Sequence, residues 1–239
     1  MFSIVIAADG RWDLLEKSMN AYDRLHPHMR EKLPGLEFII VTRLSEEEQS
    51  KIPVLKRIDV VHRYTAAGVK TTSGWCNPSL AMNEGIRLAK NDYVLISNPE
   101  SMPLSPVLFQ LRGCRGDTII YAHPYEGLPD GTIGNEYFSS TAGIPSYHIG
   151  MYSKKMLYEV NGFDEDFMAA YGWEDIDFFR RLARAGYKHV VKDEIEVLHQ
   201  WHPRPPWSEI GVAWNLGDAL RKKNEAEDIA KPKNGLIKL

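Results

Sequence analysis

The chain has 239 residues, of which 44% are hydrophobic and 26% are charged, and its formal net charge is −3. This length supports one sizeable hydrophobic core and is short for two independent ones, so we expect a single domain over residues 1–239. The slightly acidic balance gives no support for a nucleic-acid partner.

The cysteine content and the apolar segments indicate the cellular compartment. Cys76 and Cys114 are too few for a disulfide framework and lack metal-ligand spacing. No apolar run approaches the length of a transmembrane segment, and the apolar amino terminus reaches Asp9 without the basic region of a signal peptide. We therefore expect a cytoplasmic protein with no transmembrane segment.

Apolar runs alternate with helical periodicity in the first part of the chain. Residues 1–9, 36–41 and 58–62 are typical of buried strands, and apolar residues recur with helical spacing from Trp12 to Leu25. A predicted helix over 77–89 leads to a strand over 93–97. This alternation predicts an α/β fold with a mostly parallel central sheet and helices on both faces.

Polar residues follow the first two predicted strands. Asp9 ends the first strand, and Thr42 with Arg43 ends the second. Ligands of open parallel sheets bind at the carboxyl ends of the strands, which makes these residues candidates for a binding site. Asp9 is equally interpretable as an ordinary turn residue before Gly10, and both interpretations stay open.

The second half of the chain continues the pattern less regularly. We expect strands at 117–123 and 147–152, helices at 154–160 and 214–223, and edge strands at 189–191 and 194–198. The tail at 231–235 is expected to fray. We also expect two loops near the site, 64–78 and 124–145. The second is a candidate acceptor-side loop because it is too long for a plain connection.

The stretch 161–181 is rich in acids. Apolar spacing from Glu174 onward predicts a helix whose first turn holds three carboxylates, Asp175 among them. Acids in a first turn commonly complement the helix dipole, which is the simple interpretation. The neighbouring Trp173 supports another, because a carboxylate partly walled by an indole is a suitable general base for a hydroxyl.

Two motifs in this stretch carry a family resemblance. Gly-Phe-Asp-Glu at 162–165 and Trp-Glu-Asp-x-Asp at 173–177, with arginines following, resemble the acceptor-side motif of inverting glycosyltransferases of the GT-A fold. The pattern is similar to the family-2 enzymes and to the carboxyl-terminal region of the β-1,4-galactosyltransferases. The resemblance implies that Asp175 takes the proton from the acceptor hydroxyl, and that Trp173 and Glu174 shape the acceptor pocket.

The resemblance extends to residues 1–100 as a nucleotide-sugar half. It implies donor contacts from Asp9, Thr42, Asn83 and Asn98. The chain departs from typical members after the second strand, where they have an acid pair and it has Thr42-Arg43. Asn83 is also interpretable as a buried polar contact of its helix, and the two roles are compatible.

A metal site is implied at the end of the strand over 93–97. GT-A enzymes place an Asp-x-Asp motif here, and its acids hold a cation against the donor diphosphate. This chain has Asn98-Pro99-Glu100, so Glu100 becomes the ligand for Mn²⁺ or Mg²⁺, although an ordinary turn is the alternative. A histidine after the last strand completes such sites; its Trp-His context favours His202, with His199 second. Two histidines alone do not make a zinc site.

The expected activity is therefore that of a metal-dependent inverting glycosyltransferase. It would move a sugar from a nucleoside-diphosphate sugar, with a UDP-sugar favoured, to a hydroxyl of a glycan or other acceptor. Residues 101–215 would form the acceptor half and 216–239 a C-terminal helix and tail. The weakened Asn-x-Glu motif supports an inactive GT-A-like module that binds glycans or nucleotides. A nucleotidyltransferase is a third possibility, but the phosphate loop it needs is poorly matched by residues 8–11.

Overall fold

The computed structural model describes residues 1–65, 77–111, 116–137 and 149–237. Most of the predicted loop over 64–78 and the end of the predicted loop over 124–145 lie outside the described residues. So do both cysteines and the first residues of the strand predicted over 147–152.

The secondary structure alternates strands and helices as expected. The strands are β1 Phe2–Ala7, β2 Glu37–Thr42, β3 Val60–Arg63, β4 Tyr93–Ser97, β5 Ser101–Pro103, β6 Thr118–Gly127, β7 Ile133–Glu136, β8 Ile149–Ser153 and β9 Lys188–His199. The helices are α1 Trp12–Leu25, α2 Met29–Lys32, α3 Glu46–Ser50, α4 Ser79–Leu88, α5 Val107–Gln110, α6 Lys154–Glu159, α7 Glu174–Arg184 and α8 Trp207–Ala226, with 3-10 turns at Pro53–Arg57 and Glu165–Ala169. None of these described helices combines the length and apolarity needed to cross a membrane.

The described strands form one sheet in the order β3-β2-β1-β4-β8-β6-β9-β5, and β7 pairs with β6. The pairings make β1, β2, β3, β4, β6 and β9 run in one direction, and β5, β7 and β8 run against them. The sheet is therefore mostly parallel in strand direction, which confirms the predicted α/β class.

Helices cover both faces of the sheet, which explains why the central strands are largely apolar. Alternate residues of β1 point to opposite faces: Ile4 joins the cluster that includes Leu15 of α1, and Val5 joins the cluster that includes Ile86 of α4 and Phe178 of α7. A strand with a core on each side is buried along its length, so its apolar pattern is continuous rather than alternating. The buried polar residue of β1, Ser3, donates a hydrogen bond to Glu37 Oε1 at 2.6 Å.

The two predicted edge strands near the carboxyl terminus are wrong. Residues 188–199 form the single strand β9, which lies between β6 and β5. Its pairing with β6 shifts register, since Ala122 faces Lys192 while His123 faces Glu196. Residues 193–195, which have no partner on β6, bulge at this point. They include the charged residues that the sequence pattern indicated as a break between two strands.

The predicted loop over 124–145 begins as a hairpin. β6 continues to Gly127 and β7 returns beside it. In the turn between them, Asp130 Oδ1 accepts hydrogen bonds from the backbone N and the hydroxyl of Thr132, at 3.0 and 2.6 Å. The prediction of irregular structure is wrong for this part because a Pro-Asp-Gly turn closes two paired strands.

The carboxyl-terminal tail, predicted to fray, is held in place. Asn161 Nδ2 donates to the carbonyls of Pro232 and Ile237, each at 2.8 Å, and its Oδ1 accepts from the N of Ile237 at 2.7 Å. Arg87 Nε donates to the carbonyl of Leu236 at 3.0 Å. The Leu236 side chain is 5% exposed and belongs to the core cluster beneath α4. The prediction failed because tertiary contacts, rather than local propensity, order this segment.

This docking can be tested by replacing Leu236 with alanine. We expect Leu236→Ala to lower the free energy of unfolding by about 2 to 5 kcal/mol, because a buried leucine leaves a cavity. Ile237→Ala is the matched control, since that side chain is 52% exposed, and it should change stability by less than about 0.5 kcal/mol. Urea unfolding measures both. Equal, small effects would show that the tail is not part of the folded core.

Candidate functional site

Strand pairing brings Glu100 next to a distant segment of the chain. Ser101 of β5 pairs with His199 of β9, and the N of Gln200 donates to the carbonyl of Glu100 at 2.9 Å. The Nε2 atoms of His199 and His202 each lie 3.9 Å from Glu100 Oε1. The residue predicted as the metal ligand thus meets both candidate histidines.

These three side chains suit a divalent cation. Within the described ranges they form a group whose potential ligand atoms all lie within 4.8 Å of one another. Glu100 and His199 are each 7% exposed. The Glu100 Oε2 atom is buried and makes no hydrogen bond to any described residue, an arrangement that is costly without a partner and that a bound cation would relieve. The sequence ranked His202 above His199, whereas the structure brings in both.

Burial keeps the two imidazoles in the form that binds metals. It lowers the pKa of His199 to about 4, against an opposing effect from Glu100. The pKa of His202 is also lowered, first by burial and then by the charge of Arg11. Both rings are therefore neutral near pH 7, with a nitrogen lone pair available for coordination.

Two arginines and a tyrosine surround this cluster. Arg11 Nη1 donates to Glu100 Oε1 at 2.6 Å. The ring of Tyr137 stacks on His199 with 4.6 Å between centroids and 2° between planes, and its hydroxyl accepts from Arg204 Nη2 at 3.1 Å. Guanidinium groups beside a cation site supply the charge and geometry that phosphate oxygens need.

Arg11 is the main site residue that sequence reasoning missed. It precedes α1 with a φ of 59°, in the left-handed region that is uncommon for residues other than glycine. The turn after β1 thereby directs this side chain to the end of β4. The signal in the sequence is Asp9-Gly10-Arg11, a short turn with a cation at a strand end, which resembles a phosphate loop only poorly.

Asp9 joins the carboxyl ends of the first three strands. It accepts from the N and Nε of Arg43 at 2.6 and 2.8 Å, from Thr42 Oγ1 at 3.2 Å and from the Tyr64 hydroxyl at 3.0 Å. Thr42 is completely buried. Thr42 therefore supports Asp9 at the sheet edge, and the donor contacts of both residues stay predictions.

The two asparagines predicted to contact the donor differ in position. Asn83 is completely buried, and its amide donates to Phe163 O and Glu165 Oε1 and accepts from Phe163 N, at 2.9, 3.0 and 3.0 Å. Its amide is thus used to hold the acceptor motif, as the buried-contact alternative states, and the structure does not support the donor contact. Asn98 is partly exposed at the end of β4 and accepts from the Ser101 hydroxyl.

Asp175 lies in the first turn of α7 and is partly exposed. Its Oδ1 accepts from the N of Ile176 at 2.8 Å, and no salt bridge to it occurs among the described residues. Burial raises its pKa. A carboxylate with a raised pKa binds a proton more readily than an ordinary aspartate does, and this is the property that a general base uses.

Glu174, the other acid of the pair, faces the protein. It is 4% exposed and accepts from Asn77 Nδ2 at 2.9 Å. Asn77 Oδ1 in turn accepts from the N and the hydroxyl of Ser79 at the start of α4. This chain of bonds ties the first turn of α7 to α4, so Glu174 helps to position the helix, and its contact with acceptor hydroxyls stays a prediction.

Trp173 packs between α7 and α8 and is partly exposed. Its ring meets Trp214 edge-to-face at 5.1 Å, and the Arg221 guanidinium lies 4.9 Å from its centroid. Its Nε1 is buried without a hydrogen-bond partner in the described ranges. The indole therefore fixes the position of the neighbouring Asp175 and contributes only its exposed part to the predicted pocket wall.

Tyr137 relates the candidate base to the histidine cluster. Its pKa is raised mainly by burial, and the negative charges of Asp175 and Glu100 act in the same direction. Charges act appreciably on a group only when they are close to it. Asp175 and Glu100 therefore both act electrostatically on Tyr137, whose ring stacks on His199.

A buried arginine holds the acceptor motif in place. Arg181 is completely buried; its Nε donates to Asp177 Oδ2 at 2.7 Å, and its Nη1 donates to the carbonyls of Val160 and Gly162 at 2.8 and 2.7 Å. Asn224 of α8 donates to Asp177 Oδ1 at 3.0 Å. The segment before the motif, α7 and α8 are therefore joined through one ion pair.

The comparisons with known proteins agree with this arrangement. A family model described as the N-terminal domain of galactosyltransferase matches residues 134–206, which include α7 and both histidines. Staphylococcus aureus TarS, residues 1–349, is 14% identical with a TM-score of 0.57, covering 83% of this chain and 60% of that one. The Pyrobaculum calidifontis mannosyltransferase PcManGT, solved with GDP-Man and Mn²⁺, is 13% identical with a TM-score of 0.62, covering 97% and 65%.

The chain spans less than two thirds of the length of each of these structures. At such identities the likeness establishes the fold, which confirms the predicted GT-A architecture.

The buried ion pair can be tested with two adjacent arginines. We expect Arg181→Met to lower the free energy of unfolding by about 3 to 5 kcal/mol, because it leaves Asp177 buried without its partner. Arg180→Met is the control: Arg180 pairs with Glu225 at the surface, and exposed pairs contribute about 0 to 1 kcal/mol. Denaturant unfolding compares them, and similar losses would exclude a special role for the buried pair.

Proposed function

We propose that this chain is a metal-dependent inverting glycosyltransferase that moves a sugar from a nucleoside-diphosphate sugar to an acceptor hydroxyl. The main support is the convergence of Glu100, His199 and His202 at the end of β4, close enough to Asp175 for both to act on Tyr137. A cation-binding cluster for the donor diphosphate and a base for the acceptor are the two parts that this reaction requires.

Glu100, His199 and His202 would hold the cation. Two imidazoles favour Mn²⁺ over Mg²⁺, because Mg²⁺ prefers oxygen ligands and water. The same donor set also occurs in zinc enzymes, so zinc belongs in any binding assay. When bound, the cation neutralises charge that develops on the diphosphate leaving group.

The protein's own groups account for the remaining chemistry. Asp175 removes the proton of the acceptor hydroxyl while that oxygen attacks the anomeric carbon on the face opposite the diphosphate. A new glycosidic bond forms as the bond to the diphosphate oxygen breaks. Arg11 and Arg204, whose guanidiniums adjoin Glu100 and Tyr137, bind the phosphate oxygens.

Measurements of nucleotide binding will identify the nucleotide base of the sugar donor. The sequence favoured a UDP-sugar, whereas the mannosyltransferase neighbour was solved with GDP-Man. Asn98, which replaces an acid of the usual motif, favours the second candidate function, a GT-A-like module that binds glycans or nucleotides without turnover. Nucleotide binding and transfer distinguish the two.

The first experiment is a calorimetric titration with UDP and with GDP, each with Mn²⁺ and again with excess chelator. We expect one nucleotide to bind with a dissociation constant on the order of micromolar and the binding to disappear with chelator. Glu100→Gln and His199→Ala should weaken it about tenfold or more. His62→Ala, on β3 away from the cluster, is the control. If neither nucleotide binds under any condition, the donor site is wrong and the glycan-binding module becomes the better proposal.

The second experiment replaces the base. We expect Asp175→Asn to lower kcat by about 10² to 10⁴-fold and to leave nucleotide affinity nearly unchanged. Burial raises the pKa of Asp175 from its ordinary value of 3.8. As the pH is lowered, the carboxylate therefore becomes protonated at a higher pH than an ordinary aspartate does, and wild-type activity should fall with it. The variant should lack this acid limb.

The exposed Asp166 gives the control variant, Asp166→Asn, which should retain activity. Kinetics as a function of pH and the calorimetric titration supply the two readouts. If Asp175→Asn loses nucleotide binding to the same extent as turnover, Asp175 is not the base.

A further inference from the structure

A continuous row of aromatic rings leads away from the candidate base along α8. Trp173 contacts Trp214 at 5.1 Å between centroids, and Trp214 contacts Tyr171 at 6.4 Å and Trp207 at 6.2 Å. We call Tyr171, Trp173, Trp214 and Trp207 the aromatic row. Since Trp173 lies two residues before Asp175, the row begins at the proposed reaction centre.

The two ends of the row differ in exposure. Trp207 is 60% exposed, which is unusual for a large ring that gains free energy on burial. At the inner end, the pKa of Tyr171 is raised, mainly by burial, while the charges of Arg11 and Arg204 oppose the shift. Arg11 and Arg204 beside the proposed cation site therefore act electrostatically on Tyr171. The row runs from Trp173, two residues before the proposed base, to the exposed Trp207.

Two glycines of α8 make room for the outer and inner indoles. A Cβ at Gly211 would lie 3.0 Å from Cε2 and Nε1 of Trp207, and a Cβ at Gly217 would lie 2.8 Å from Cδ1 of Trp173. Glycine inside a helix costs about 1 kcal/mol relative to alanine. Trp207 therefore rests against the helix backbone over Gly211, and its other surface faces solvent.

A saccharide matches this surface chemically. A pyranose ring has an apolar C–H face and a rim of hydroxyls, so it can stack on an exposed indole while the hydroxyls stay in water. A membrane surface fits less well, because α8 carries three acids and three basic residues and so has no basic excess for anionic lipid. Because the row begins at Trp173, beside the proposed base, a ligand that also reaches that base is favoured further.

We propose that the outer part of the aromatic row, Trp214 and Trp207, is a carbohydrate subsite that binds a sugar residue of the acceptor beyond the one that reacts. The acceptor is accordingly an oligosaccharide or a polysaccharide. This inference rests on the proposed function, since it assigns the substrate class of the same cleft.

The test measures glycan binding by the full chain without nucleotide or metal. An array of monosaccharides through hexasaccharides, built from hexoses and N-acetylhexosamines, is probed with the wild type and with Trp207→Ala. We expect at least one series to bind about tenfold more tightly as an oligosaccharide than as its monosaccharide. Trp207→Ala should abolish this gain and leave monosaccharide binding unchanged. Because Trp207 is exposed, its removal should not disturb folding.

Two further variants sharpen the result. Gly211→Ala, which displaces the Trp207 ring, should reduce the same gain, whereas Val212→Ala, at a side chain 86% exposed on the same helix, should not. An absence of any length dependence across the array, or full retention of it in Trp207→Ala, would overturn the proposal. So would Trp207-dependent binding to phosphatidylglycerol vesicles without glycan binding.

The calorimetric titration with nucleotide and Mn²⁺ separates the two levels of inference. Normal nucleotide binding without a length effect rejects the subsite alone. If the wild type binds no nucleotide but shows a clear length effect, the donor site is rejected and the chain is a glycan-binding protein.

Discussion

The position of α7 depends on the buried guanidinium of Arg181. It bonds to Asp177 on its own helix and to the carbonyls of Val160 and of Gly162, the first residue of the Gly-Phe-Asp-Glu motif. Asn224 then bridges Asp177 and Asp164, and burial raises the pKa of that second carboxyl. A buried charge is stable only with its partners in place. The segment around Gly162, α7 and α8 therefore cannot move independently. The helix that carries Asp175 is oriented by this network and by the bond from Glu174 to Asn77.

The cation cluster depends on a different constraint, namely strand pairing. β5 is only three residues long, yet its pairing with β9 sets Glu100 opposite the segment that contains both histidines. Gln200 reinforces the junction by donating to the Leu14 carbonyl and the Ser18 hydroxyl of α1. The ligands come from backbone positions fixed by hydrogen bonds, which is the rigid support that a metal site requires.

Local patterns predicted the elements whose own periodicity is strong. α1 and β4 have the bounds that the sequence indicated, Trp12–Leu25 and Tyr93–Ser97. β5 has no local signal, because three residues that pair with a remote strand carry no periodicity, and the tail at 232–237 is ordered by partners elsewhere in the chain. The candidate site divides in the same way. Residue types at strand ends indicated Glu100 and His202, and the acidic motif in the first turn of α7 indicated Asp175. The contribution of Arg11 and the covered positions of Thr42 and Asn83 are visible only in three dimensions.

The docked tail also has a consequence for how the molecule is made. Asn161 and Arg87 receive their backbone partners from residues 232–237, which leave the ribosome after every element of the sheet. A nascent chain can pair β1, β2 and β4 early, but the support beneath the acceptor motif is completed last. Synthesis therefore builds β1, β2 and β4 before the segment that supports α7 is complete, and a chain lacking residues 232–237 would keep those strands without the bonds to Asn161 and Arg87.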